Sequence, residues 1–147
     1  MLTYLPRVSF FVLLGVVSCT AADEKGIANG VTTLETRASG KLVRVRIKSY
    51  QVEIGKPSDP TPVVRENSCT YSRYPCSLVS SINISFGSNR VFVPRAAIAD
   101  LSDLSSVNLS SKNGLMVLDI RGGDASESYT VKLDFDEEHV SRRLFYS

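Results

Sequence analysis

Val43, Val45 and Ile47 alternate with Arg44, Arg46 and Lys48. Alternation of this kind puts successive side chains on opposite faces of an extended strand, so it excludes a helix here and predicts a half-buried one. The same period returns twice. Ile82, Ile84 and Phe86 alternate with Ser81, Asn83 and Ser85, while Tyr129, Val131, Leu133 and Phe135 alternate with Thr130, Lys132, Asp134 and Asp136. Residues 115–120 are apolar on both faces except at Asp119, as expected of a central strand. After Ile47 the apolar parity shifts to Tyr50, Val52 and Ile54, which predicts a bulge or bend near Ser49.

Turn residues separate these runs. Gly87-Ser88-Asn89 closes a hairpin whose return strand is expected over residues 90–93, and Lys112-Asn113-Gly114 and Gly122-Gly123-Asp124 punctuate the second half. Three prolines between residues 55 and 62 make that stretch a loop. Pro94 can occupy the first turn of a helix, so one short helix is expected over residues 95–104, with Ile98 and Leu101 on one face. Residues 107–109 read as a brief strand, and residues 139–146 as the last one. The pattern indicates an all-β antiparallel sandwich or small barrel of about seven to eight strands with one short helix. A single domain over residues 31–147 is long enough to bury a core.

The N-terminus reads as something other than fold. Arg7 is the only charge before Asp23, and residues 8–17 are apolar except for Ser9 and Gly15. That run falls far short of the ~20 residues a spanning helix needs, whereas a secretory signal peptide over residues 1–22 fits it. Cleavage before Asp23, after Thr20-Ala21-Ala22, is one option. The other starts from Val16-Val17-Ser18-Cys19, which resembles the lipobox of bacterial lipoproteins. That resemblance implies cleavage before Cys19, lipid on its thiol and amine, and a lipid-anchored protein facing the periplasm. Thr20 is not the aspartate of an inner-membrane retention signal, so the outer membrane is the implied address. Residues 23–30 are polar and glycine-containing, and are expected to be a flexible tether.

The chain has three cysteines. Cys19 is spent or removed at the leader, which leaves Cys69 and Cys76 as an even pair suited to a disulfide in an oxidising compartment. The loop between them carries Tyr71 and Tyr74, which could form an aromatic contact surface or lie over the sandwich end as a lid. Two cysteines and a single histidine cannot build a usual zinc site, so neither metal nor cofactor is expected.

The sequence holds 17 Lys and Arg against 15 Asp and Glu, and Arg7 goes with the leader. So slight an excess argues against nucleic acid as a partner. Its distribution is uneven: residues 25–95 hold eleven bases and four acids, residues 96–147 five bases and nine acids. The row Arg44, Arg46 and Lys48 puts three cations on one strand face, ~6.6 Å apart, where they repel one another unless something acidic lies opposite. Either the acidic strand of the second half pairs with them in the same sheet, or they face phospholipid headgroups, polysaccharide or an acidic protein.

His139 stands alone after Asp136-Glu137-Glu138 and lacks the companions of a triad or a metal site, so it reads as a surface residue. Asp134 and Asp136 could form an acid pair or hold calcium, but no loop motif supports either, and a solvated face is the simpler reading. No catalytic residue is assigned. The expectation is a non-catalytic interaction module whose partner is an envelope protein or an anionic envelope surface. A carboxylate hydrolase of envelope polymers and a purely structural envelope component are the alternatives.

Overall fold

A computed structural model describes residues 25–27, 29–53, 69–70, 75–112 and 114–147. The leader with Cys19, Ile54 and the tyrosines Tyr71 and Tyr74 lie outside these residues. In chain order the strands are β1 (Lys25–Gly26), β2 (Gly30–Ala38), β3 (Lys41–Val52), β4 (Cys76–Phe86), β5 (Asn89–Val91), β6 (Leu104–Lys112), β7 (Leu115–Gly122), β8 (Tyr129–Phe135) and β9 (Val140–Tyr146). They form two antiparallel sheets, one of five strands in the order β1-β6-β7-β8-β9 and one of four in the order β2-β3-β4-β5. Two separate sheets around one core make the fold a sandwich, not a barrel. The strand count exceeds the expected seven to eight among the described residues because the two-residue β1 and three-residue β5 join the longer ones.

The alternation in the sequence explains the core. Val43, Val45 and Ile47 of β3 and Ile82, Ile84 and Phe86 of β4 point inward from the four-stranded sheet. Leu118 and Ile120 of β7 and Val131, Leu133 and Phe135 of β8 meet them from the other sheet, all fully buried. β7 is the middle strand of the five, and its outward-facing Val117 is buried as well as its inward-facing Met116, Leu118 and Ile120. Truncating one of the larger of these side chains to Ala would typically cost 2–5 kcal/mol. Among the described residues the buried core runs from Leu34 onward, with Ile27 packed against it.

Three local expectations are corrected. Residues 95–104 are not a short helix but a single 3₁₀ turn, Arg95–Ala97, followed by irregular chain. An isolated helix of this length is marginal, and the sheet recruits its backbone instead. The Leu101 carbonyl accepts from Val79 N–H at 3.1 Å, and Asp103 N–H donates to the Ser77 carbonyl at 2.6 Å. Ile98 and Leu101 still plug the end of the sandwich, as their spacing suggested.

The irregularity near Ser49 is real but lies on the neighbouring strand. Lys48 pairs with Ser81 and Ser49 with Val79, so Ser80 of β4 is the extra residue, and its hydroxyl donates to the Lys48 carbonyl at 3.1 Å. The parity of β3 therefore does not shift: Ser49 is buried and Tyr50 is 47 % exposed. Finally, residues 25–27 are not free tether. β1 pairs with Ser106 and Val107 of β6, and Ile27 packs against the core.

Candidate functional site

Cys69 and Cys76 are disulfide-bonded, with Cα atoms 5.7 Å apart. Chain-entropy reasoning gives a loop this short a stabilisation of about 2.5 kcal/mol. The residues beside the two cysteines are held by one buried carboxylate. Asp103 Oδ2 accepts the Thr70 N–H and Oδ1 accepts the Ser77 N–H, each at 2.8 Å. Nothing local in the sequence marks Asp103, because both its partners lie far upstream.

The basic row sits on the outer face of the four-stranded sheet, and pairing register decides what it faces. Arg44 lies between Glu35 of β2 and Ser85 of β4, and Arg44 Nε–H donates to Glu35 Oε1 at 2.5 Å. Arg46 lies between Thr33 and Asn83, and Lys48 between Val31 and Ser81. Neither has an acidic neighbour across either strand. The acidic strand invoked as a possible partner is β8, in the other sheet. The end of β8 and the turn after it reach the basic half at the margin of the sandwich: Glu137 meets Lys41 Nζ at 2.6 Å, and the backbone of Phe92 bonds with Glu138 and Val140.

Register also brings Arg37 of β2 and Arg90 of β5 to this face. Five basic side chains, Arg37, Arg44, Arg46, Lys48 and Arg90, thus share it with one acid, Glu35, among the described residues. Arg90 donates to Asn83 Oδ1 at 3.0 Å, which steadies its guanidinium without neutralising it. Three exposed apolar side chains accompany these cations: Val31 and Tyr50 on the outer parity, and Phe92, 66 % exposed, which lines a cleft with Arg90 and Asn83 while its backbone bridges to His139 of the β8–β9 turn. Sequence reasoning found only the β3 row, because the contributions of β2 and β5 depend on which strands are neighbours.

The outer face of the five-stranded sheet is different. Two of its cations are paired with acids across strands, while Arg121 lies between Ser106 and Thr130 and Lys112 across from Leu115. Lys132 Nζ meets Asp119 at 2.8 Å, and Arg142 meets the buried Asp134, its Nε–H donating at 2.7 Å. The Asp119 carboxylate raises the pKa of the Lys132 ammonium above its ordinary value, chiefly by accepting its hydrogen bond. Asn108, Asp119, Lys132 and Tyr146 line an open cleft of about 360 Å³ on this face, where Asn108 Oδ1 is buried without a hydrogen-bond partner.

The remaining candidates are held by local structure. Asp136 Oδ1 accepts the N–H groups of Glu138 at 2.8 Å and His139 at 2.9 Å, which lowers its carboxyl pKa below the ordinary value. Asp134 faces Arg142 and Asp136 closes the β8–β9 turn, so the two do not converge on a common point. His139 is exposed, with its Nδ1 3.4 Å from Asp136. Gly122-Gly123-Asp124 is turn structure: Gly123 has φ +74°, a conformation that side chains disfavour. Among the described residues no group of three or more His, Cys, Asp or Glu could hold a metal ion.

Compared with known proteins, the chain matches no family model, no curated protein and no solved structure.

Proposed function

We propose that this protein is an exported, lipid-anchored, non-catalytic binding module of the bacterial envelope, and that it engages an anionic partner through the outer face of its four-stranded sheet. One observation carries the reading: no acid stands directly across from Arg46 or Lys48 on either neighbouring strand, where Glu35 is engaged by Arg44, while the acidic strand belongs to the other sheet. Like charges held ~6.6 Å apart on a strand repel, and an anionic partner relieves that repulsion. The locally satisfied Asp136 and the solitary His139 favour binding over hydrolysis.

A direct measurement is salt-dependent retention of residues 23–147 on a polyanionic resin. Arg46→Glu with Lys48→Glu should elute at distinctly lower salt than the wild type. Lys132→Gln, which removes a cation already paired on the opposite face, should change elution little. Equal retention of the doubly reversed variant would sink the reading.

The anchor has its own test. The full chain expressed with its leader should yield a membrane-extracted protein that begins at Cys19 and carries the mass of its acyl chains. Cys19→Ser should release the domain to the soluble fraction. A wild-type product that is soluble and starts at Asp23 would remove the anchor and leave export standing. With the anchor in place, residues 20–24 are all that separates Cys19 from β1, a reach of about 20 Å at full extension. The domain would then work close to the membrane surface.

A further inference from the structure

Building on that cationic-face reading, we infer that the partner is a bilayer containing anionic phospholipid, on which the outer face of the four-stranded sheet lies flat. Charge alone would suit any polyanion. The decisive addition is the apolar set on the same face. Val31 stands directly across from Lys48, Tyr50 follows Lys48 on the outer parity of β3, and Phe92 continues the outer parity of Arg90. All three are about half exposed or more. A soluble polyanion gains nothing from such side chains, whereas the headgroup region of a bilayer accepts both kinds: cations at the phosphates, aromatic rings and aliphatic tips at the acyl boundary.

Shape and charge distribution agree with a planar partner. The strands present a continuous sheet surface of roughly 20 Å by 15 Å at ordinary strand spacings. On the opposite face four bases, Lys112, Arg121, Lys132 and Arg142, stand with two acids, Asp119 and Asp134, a smaller excess of cations than five against one. A charged plane would therefore orient the domain with one face down. Arg37, Arg46, Lys48 and Arg90 come from three different strands, so the face is assembled by the fold as a whole.

The test uses residues 23–147, which lack the anchor cysteine, so that any membrane binding belongs to the face. Co-sedimentation is measured with vesicles of phosphatidylcholine alone and with about one third phosphatidylglycerol, at ~0.05 M and ~0.5 M salt. Binding is expected only to the anionic vesicles and should fall steeply with salt. Arg46→Gln with Lys48→Gln should weaken it by about 25-fold, since each cation near an anionic leaflet is worth about fivefold. Phe92→Ser should weaken vesicle binding several-fold and leave resin retention unchanged, and Phe92→Trp should show a blue shift with anionic vesicles only. Retention on the resin without binding to anionic vesicles would overturn the lipid inference and point to an acidic macromolecule, with the cationic-face reading intact. Failure to bind either would overturn both. Vesicle binding that ignores the loss of Arg46 and Lys48 would overturn both as well.

Discussion

Asp103→Ala should lower the free energy of unfolding by roughly 3–5 kcal/mol, because it leaves two buried N–H groups without an acceptor. Asp103 is 2 % exposed and joins four backbone positions at once. Its carboxylate takes Thr70 and Ser77, its own N–H donates to the Ser77 carbonyl, and its carbonyl accepts Gly123 N–H at 3.1 Å. It does so from φ +45°, a backbone region that Asp tolerates better than most residues. Asp103→Asn should lose less than Asp103→Ala, since one amide oxygen can still accept while the amide NH₂ faces the other donor. Urea unfolding of the oxidised protein measures both. The Cys69–Cys76 disulfide of Asp103→Ala should also reduce more readily, because both flanking segments are released. A loss below about 1 kcal/mol would show that the disulfide loop holds its place without the carboxylate.

Gly122→Ala should be nearly as damaging, by roughly 3–4 kcal/mol, through overpacking and two lost hydrogen bonds. A Cβ on Gly122 would lie 2.4 Å from the Tyr129 hydroxyl and 2.7 Å from the Ser102 carbonyl oxygen. That hydroxyl donates to the Ser102 carbonyl at 2.6 Å and accepts the Ser102 N–H at 2.9 Å, so the methyl group would wedge into a closed pair. The Ser102 carbonyl is backbone and cannot swing aside. In a Tyr129→Val background, where the ring is gone and the Ser102 carbonyl clash remains, the same Gly122→Ala change should cost less. Burial also pushes the Tyr129 pKa up to about 12. The folded state then keeps its proton while the unfolded chain begins to lose it near pH 10. The stability that Tyr129 contributes is complete below pH 10 and is lost as pH rises to about 12. Gly122→Ala, which disrupts the buried pair, should flatten that alkaline slope in a pH series of unfolding curves.

Both residues illustrate how far local sequence reaches. The glycine pair at 122 and 123 is legible as turn chemistry, and Gly123 fits that reading through its positive φ. Gly122 has another reason to be glycine, close approach by a tyrosine seven residues on, and only tertiary packing reveals it. Asp103 is still less legible, as its chain neighbours give no hint of Thr70 or Ser77. The expected helix over residues 95–104 failed for a related cause. Its own residues permit a helical turn, but Val79 N–H donates to this stretch and the Ser77 carbonyl accepts from it, and that competition is invisible along the chain.

The sequence by itself determined which side faces inward in β3 as far as Ile47, in β4 from Ile82 and in β8, because a period of two leaves no freedom once one face is apolar. It also determined the disulfide pair and the charge gradient from a basic first half to an acidic second half. What only the tertiary structure decided is where that gradient goes. Strands β2 to β5 make one sheet and β6 to β9, with β1, make the other, so a polarity along the chain becomes a polarity between two faces. Strand order follows from non-local hydrogen bonding and core packing, which a single strand's pattern does not encode. For that reason Arg44, Arg46 and Lys48 could be identified as a row from the sequence, but whether an acidic strand lay beside them could not.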